Sequence, residues 1–169
     1  RFGTVAKGPS PLELIQKLLQ RRASEFQQLL AEVDGVVELG LRALWKDQGL
    51  IFREIAEEDA AIRRLRDSLD RAPAQNSHQE RLRLGEMVVQ ALARKRAVEA
   101  EMILAPLRPL ARQTVENPTP GDRIVVNTAF LVDKGMEPAF DRGVQDLDVA
   151  LGERLSFKSC LLELAFFTI

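Results

Sequence analysis

The sequence is poor in histidine and cysteine, two residue types that often act as bases, nucleophiles and metal ligands. His78 is the only histidine and Cys160 the only cysteine in 169 residues. A metal site built on two histidines is therefore excluded within this chain, and no histidine is placed to serve Cys160 as a base. We expect Cys160 to be a core thiol and His78, in the first turn of a helix, to be solvated. No catalytic residue, metal or cofactor is predicted.

A second candidate for chemistry is the charged segment EIAEEDAAIRRLRD at residues 54–67. Its paired carboxylates could serve acid–base chemistry or hold a divalent cation. Carboxylates followed by arginines about four residues later are more typical of an exposed helix face, where opposite charges stabilise one another. We therefore interpret the segment as a solvated face, with a charged rim for partner contacts as the alternative.

Composition and charge argue against several other classes of protein. The 24 basic and 25 acidic residues nearly cancel, so no net field attracts the chain to nucleic acid or to an anionic membrane. The sequence has no phosphate-binding glycine loop, no nucleophile elbow and no apolar run near the roughly 20 residues that cross a bilayer. A lone cysteine forms no internal disulfide. We expect a cytoplasmic protein with a structural or binding role.

The first part of the chain combines a helix and a strand. SPLE at 10–13 carries helix-start signals, and apolar residues at three-and-four spacing continue to about residue 33. VVELGLRALW at 36–45 then alternates as a half-buried strand. Its apolar side chains share one face, and the opposite face carries Glu38, Gly40 and Arg42.

Two helices follow this strand and should pack as an antiparallel hairpin. Helical spacing begins at Asp47 and ends at Pro73, and SHQE at 77–80 begins a second helix that runs to about Leu104. The remaining third has the pattern of strand, turn, strand, helix and strand, with PTPGD at 118–122 as the turn. From residue 36 the order is therefore strand, helix pair, strand, strand, helix, strand.

This order predicts an α+β fold in which a ferredoxin-like antiparallel sheet carries helices on one face. The first and third strands should be central. RIVVNTAFLVDK at 123–134 fits a central strand, because it is apolar on both faces. The helix before residue 34 precedes this fold.

Four segments together resemble the gas vesicle protein F/L family. They are RFGTV at 1–5, GVVELGLRALW at 35–45, REIAEED at 53–59, and NTAFLVD at 127–133 followed by FD at 140–141. The likeness runs in the same order through nearly the whole chain, to about Phe157. No single segment is as specific as a metal signature, but four in register are hard to produce by chance.

The resemblance implies a non-enzymatic accessory protein for the assembly of gas vesicles, the hollow flotation organelles of some bacteria and archaea. Members of this family are expected to bind the small hydrophobic shell protein, to prevent its aggregation, to help nucleate the vesicle and to contact other accessory proteins. The implied location is the gas vesicle, within the cytoplasm, with neither nucleic acid nor membrane as a partner.

The resemblance also implies two parts of the chain. Residues 1–34 are expected to be the remnant of an N-terminal domain with its trailing helix, and residues 35–169 the C-terminal ferredoxin-like domain. A start at Arg1 rather than methionine fits such a fragment. One departure lies at the end: the family usually closes with a Gly-Pro-Leu-Pro-Pro-Tyr-like segment, whereas this chain has CLLELAFFTI, an apolar stretch prone to β-aggregation.

No motif identifies partner-binding residues, so they are predicted from placement alone. An exposed apolar patch would mark a partner site. The candidates lie on the helix-free sheet face, at the end of the first strand and in the tail: Glu38, Arg42, Trp45, Leu161, Leu162, Phe166 and Phe167. Core packing is the alternative for Trp45. A generic ferredoxin-like ligand-sensing or interaction module also stays open, and it would need a pocket with convergent polar groups.

Overall fold

Five α-helices and four strands make up the described part of the chain. A computed structural model describes residues 10–71 and 77–162, with side chains at all of these positions except 32, 33 and 160–162. The helices are α1 (Pro11–Val33), α2 (Gln48–Glu58), α3 (Ala60–Leu69), α4 (His78–Leu107) and α5 (Glu137–Leu151). The strands are β1 (Val36–Trp45), β2 (Gln113–Glu116), β3 (Ile124–Asp133) and β4 (Leu155–Leu162).

The helix α1 is amphipathic, and its apolar residues are largely exposed. Pro11 occupies the first helical position, where its missing amide costs no hydrogen bond. The stripe residues Leu12, Leu19 and Leu30 are 69%, 51% and 67% exposed. Gly35 follows with φ +71°, a conformation that favours glycine, and its carbonyl accepts a hydrogen bond from the amide of Lys134. The helix therefore ends where predicted, and the chain turns directly into β1.

The four strands form one sheet in the order β2-β3-β1-β4, and every neighbouring pair is antiparallel. Successive side chains of a strand point to opposite faces, so alternate residues of β1 reach the core. These residues are Leu39, Leu41, Ala43 and Trp45. The predicted α+β class, the antiparallel sheet and the central position of the first and third strands are confirmed.

Three helices, rather than the predicted pair, cross from β1 to β2. Asp47 caps α2 by accepting a 3.0 Å hydrogen bond from the amide of Leu50. The segment predicted as one continuous helix breaks at Asp59, whose carboxylate accepts hydrogen bonds from the amides of Ala61 and Ile62 and so caps α3. Apolar residues keep a helical spacing across this break, which is why the spacing alone did not predict it.

The helix α4 is the longest, with 30 residues, about 45 Å. It begins directly after Ser77, as predicted, and its first residue, His78, is exposed as expected. It continues beyond the predicted end at Leu104, through Pro106, to Leu107. Pro106 lies in the last turn and cannot donate an amide hydrogen bond to the carbonyl of Met102, and the α-helix ends one residue later at Leu107.

A single core cluster lies between the sheet and the helices α2 to α5. Phe130 of β3 and Phe140 of α5 are fully buried and pack edge to face, with ring centroids 4.9 Å apart. Gly143 allows α5 to approach α4, because an added Cβ would lie 2.9 Å from Cδ2 of Leu107. The other large, fully buried side chains include Trp45, Leu41, Ile51, Ile62, Ile103 and Leu155. These four helices therefore cover one face of the sheet.

Candidate functional site

The indole of Trp45 lies at one end of the sheet among charged side chains. The Trp45 cluster consists of Trp45, Glu54, Lys95, Glu99 and Arg154. Trp45 is fully buried, and its Nε1–H donates a 2.6 Å hydrogen bond to Oε2 of Glu99. Arg154 donates two 2.7 Å hydrogen bonds to Glu54, one to each carboxylate oxygen, and another of 2.7 Å to Glu99. A buried indole N–H needs an acceptor, and here Glu99 of α4 provides it. This hydrogen bond links the end of β1 to α4.

The Trp45 cluster joins β1, α2, α4 and the residue before β4. Lys95 lies one turn before Glu99 on α4, and its Nζ lies 2.9 Å from Glu54 and 2.8 Å from Glu58. The side chains of Glu99, Lys95, Glu54 and Arg154 are 13%, 16%, 24% and 28% exposed. Charges shielded to this degree interact more strongly than surface pairs, and losing one partner leaves the others uncompensated. The arrangement is therefore suited to fixing α2 and α4 against the sheet.

Hydrogen bonds within the cluster shift the pKa values of Glu54, Lys95 and Arg154 toward their charged forms. Arg154, mainly through its hydrogen bonds, holds the pKa of Glu54 at about 2, against the opposing effect of burial. Glu54 and Glu99 in turn raise the pKa of Arg154 above its ordinary value. Burial lowers the pKa of Lys95, but hydrogen bonds to Glu58 and Glu54 outweigh it, and the net direction is upward.

We expect acid to weaken the fold through Glu54. Its pKa is about 2 in the folded chain and about 4.3 in an unfolded one. A depressed pKa contributes stability above the unfolded value, and this is lost as the pH falls toward the folded value. The free energy of unfolding should therefore fall by about 2 kcal/mol between neutral pH and about pH 3 on account of this residue.

The variant Glu54→Gln should be less stable at neutral pH and should lose less stability on acidification than the wild type. Urea unfolding at neutral pH and at about pH 3 provides the measurement. Glu58→Gln is the matched control, since it also removes a carboxylate that contacts Lys95 but leaves Glu54 in place. Equal losses on acidification in Glu54→Gln and in the wild type would contradict the prediction.

A groove runs beside the Trp45 cluster, between α4 and the junction of α2 with α3. It encloses about 620 Å³. Its apolar residues are Ile55, Ala60, Ala91, Val98 and Met102. Its charged residues are Glu58 and Asp59 on the side of the junction, and Arg94, Lys95 and Glu99 on α4. The groove therefore has an apolar floor between an acidic border at the junction and a border on α4 in which two cations, Arg94 and Lys95, precede one carboxylate, Glu99.

The carboxylates of Glu54 and Glu58 on α2 form ion pairs with Lys95, and that of Glu54 also pairs with Arg154. Within residues 10–71 and 77–162, no three acidic, histidine or cysteine side chains are grouped so as to hold a metal ion. The same ranges contain no helix with the length and apolarity to cross a bilayer. The interpretation of residues 54–67 as a solvated face is correct for Glu57 and Glu58, which are exposed, and wrong for Glu54, which is partly buried against Arg154.

Comparison with known proteins establishes the family of the chain. The family model described as gas vesicle synthesis protein GvpL/GvpF matches residues 1–159. The chain belongs to this family. Gas vesicle protein F of Dolichospermum flosaquae is 25% identical over 159 residues, which cover 94% of this chain and 62% of the relative. The GvpL/GvpF resemblance of the four sequence segments is thus confirmed, and the chain spans less than two thirds of the relative's length.

Two crystal structures of GvpF proteins have the same fold. The structure from Microcystis aeruginosa superposes with a TM-score of 0.75 at 22% identity, covering 96% of this chain and 65% of that one. The structure from an Anabaena species superposes with a TM-score of 0.82 at 21% identity, covering 99% and 66%. At this level of identity the likeness supports the fold of the GvpL/GvpF chain.

The three predicted partner-binding residues of β1 differ in their exposure to solvent. Trp45 is fully buried and Glu38 is 1% exposed, so both lie in the interior of this GvpL/GvpF chain. Core packing, the alternative for Trp45, is what the structure shows. Arg42 is exposed, and its Nε donates a 3.1 Å hydrogen bond to Oδ1 of Asn127. Of these three residues, only Arg42 offers a surface to a partner in this structure.

The predicted tail residues are only partly covered by the structure. Leu161 and Leu162 lie in β4, where their backbones pair with Leu39 and Glu38 of β1. Phe166 and Phe167 lie outside the described residues. A partner-binding role for the tail of the GvpL/GvpF chain stays a prediction.

The members of the Trp45 cluster beyond Trp45 itself were not predicted from the sequence. One signal was available, because a tryptophan on the apolar face of a strand needs an acceptor for its N–H. Another was the spacing of Lys95 and Glu99, which places both on one face of a helix. Arg154 carried no such signal, because it lies 100 residues from Glu54 in the GvpL/GvpF chain.

Proposed function

We propose that the chain is a non-enzymatic accessory protein that acts in gas vesicle assembly by binding the hydrophobic shell protein. The observation that carries the proposal is the groove, an apolar surface left open on a member of the GvpL/GvpF family. Val98 and Met102 in this groove are 63% and 54% exposed. Exposed apolar surface with a polar rim is typical of sites that bind other proteins.

The proposed action is to cover apolar surface of the shell protein until that protein joins the vesicle wall. Such cover would limit aggregation and would help to nucleate the vesicle. Other accessory proteins of the vesicle are further proposed partners, and the proposed location is the gas vesicle within the cytoplasm. The near balance of 24 basic and 25 acidic residues supports partners other than nucleic acid or anionic membranes.

The proposed organisation of the chain has two parts, residues 1–34 and residues 35–169. The exposed apolar stripe of α1 supports this division, because a helix that belonged to the core of the sheet domain would bury that stripe. In this proposal α1 is the trailing helix of an N-terminal domain, and its stripe packs within that domain.

The proposed function predicts that the chain keeps the shell protein in solution. Co-expression with a tagged form of this chain should raise the soluble fraction of the shell protein several-fold over expression of the shell protein alone. The soluble shell protein should also co-purify with the tag. An unrelated soluble protein of similar size serves as the control for the effect of co-expression. The proposal fails if the chain is folded and soluble while the shell protein remains in the pellet.

A further inference from the structure

The geometry points to the groove between α4 and the α2–α3 junction as the docking site for an amphipathic helix of the shell protein. The docked helix would carry its apolar stripe between an acidic flank, facing α4, and a basic flank, facing the junction. This inference rests on the proposed function, since it takes the shell protein as the partner. It adds the place of binding and the chemistry of the segment that binds.

The shape of the groove fits a helix laid along α4. Ala91, Lys95, Val98 and Met102 follow one another at spacings of four, three and four residues, so they share one face of α4. They extend over about 16 Å, or about three helical turns. An apolar stripe on a docked helix presents its anchors at the same spacings, which is how amphipathic helices bind in grooves.

The floor of the groove combines fixed and adaptable surface. Ile55 and Ala91 are 3% and 8% exposed, so they form a rigid base that other core residues support. Val98 and Met102 stand above it and are more than half exposed. Methionine is flexible and adapts to partners of irregular shape. Apolar contact with these two side chains would therefore be the main gain on docking.

The two borders define the charges of the docked helix. At present the borders neutralise each other, with Arg94 lying 3.5 Å from Asp59 and Lys95 lying 2.8 Å from Glu58. Each pair has one partner that is 64% exposed, Arg94 or Glu58, and that partner is accessible to a charge on the docked helix. The other partners, Asp59 and Lys95, are 31% and 16% exposed. An acidic flank beside α4 and a basic flank beside the junction could replace these pairs with pairs across the interface. A helix with the reverse arrangement would meet like charges, which disfavours it.

The Trp45 cluster holds the groove in shape before any partner arrives. Lys95 and Glu99 line the groove and also belong to the cluster, through ion pairs with Glu54 and Arg154. These contacts fix α2 relative to α4, and the distance between the two helices sets the width of the groove. A site that is already formed loses less conformational freedom on binding.

The test uses aspartate substitutions at exposed positions of α4 together with the full shell protein. Val98→Asp and Met102→Asp place a charge on the apolar floor. Val89→Asp is the matched control, because Val89 is 66% exposed on the same helix and lies nine residues from Val98, about half a turn around the axis. Circular dichroism and thermal unfolding verify that each variant folds. Co-purification of the shell protein is then compared with the wild-type chain.

Val98→Asp and Met102→Asp should each reduce the co-purified shell protein by about tenfold or more, since a charge buried against an apolar stripe opposes docking. Val89→Asp should retain the wild-type amount. If all three folded variants retain the shell protein as the wild type does, the groove is not the site, while the proposed function stands. If the wild-type chain itself fails to retain the shell protein, both the inference and the proposed function are overturned.

Discussion

Replacing Phe140 with alanine is expected to lower the free energy of unfolding by about 4 kcal/mol. Its ring is fully buried and packs edge to face on Phe130 at a centroid distance of 4.9 Å. The substitution removes the ring from the core between α5 and β3, and a cavity remains because the surrounding structure relaxes only in part. Urea unfolding of the purified chain at neutral pH measures the change.

Two further variants distinguish the energy of the contact between the two rings from the general effect of removing a side chain. Phe130→Ala combined with Phe140→Ala should cost less than the sum of the single changes, by about 1 kcal/mol, because the edge-to-face contact is lost only once. Val149→Ala on the same helix should change the free energy of unfolding by less than about 0.5 kcal/mol, since Val149 is 88% exposed. A loss of about 1 kcal/mol or less in Phe140→Ala would contradict the packing described here.

Replacing Arg154 with methionine is expected to cost about 3 kcal/mol of folding free energy. The change removes the paired hydrogen bonds to Glu54 and those to Glu99, and it leaves two partly buried carboxylates facing an apolar side chain. For a chain of this length the midpoint of thermal unfolding should fall by roughly 6 to 12 °C. Thermal unfolding followed by circular dichroism is the measurement.

Arg108→Met is the matched control for Arg154→Met. Arg108 also contacts two carboxylates, those of Glu101 and Glu116, but its side chain is 39% exposed and the two carboxylates are 60% and 63% exposed. Exposed pairs of this kind contribute about 1 kcal/mol or less. Equal losses in the two variants would show that the Trp45 cluster is no more stabilising than a surface network.

The sequence determined the order of the elements well, because most of them have local signals. Three of these signals are the loss of apolar spacing after about residue 33, the alternation along β1 and the turn before β3. Each lies in a short stretch whose chemistry does not depend on distant residues. The break at Asp59 is a different case. An aspartate at position 59 could lie on the surface of one continuous helix or cap a second helix. The spacing of the apolar residues is the same in the two arrangements, and the structure has the cap.

Burial across the sheet was harder to predict than the strands themselves. Glu38 belongs to the polar set of β1 and was expected on an open surface, yet it is 1% exposed. Alternation assigns a residue to a face of the sheet but does not state whether that face is covered. The other members of the Trp45 cluster were equally hard to predict, because Arg154 forms hydrogen bonds with Glu99 and Glu54, which lie far from it in sequence. Long-range pairing of this kind leaves no periodic trace in one sequence.

The functional reading depends on two levels of evidence. Four sequence segments predicted the family, and the match over residues 1–159 confirms it. The groove came only from the structure, since it requires α4 to lie beside the α2–α3 junction, which the sequence predicted as a single helix. Val98 and Met102 have the spacing of core residues in the sequence, and only their exposure marks them as a surface.

The most direct measurement is photocrosslinking from the groove in cells that also make the shell protein. A photoreactive amino acid at position 98 should crosslink this chain to the shell protein, and the same group at position 89 should give little or none. Both positions are exposed valines on α4, so the comparison isolates the face of the helix. Equal crosslinking from the two positions, or none from position 98 while the shell protein still co-purifies, would contradict docking in the groove.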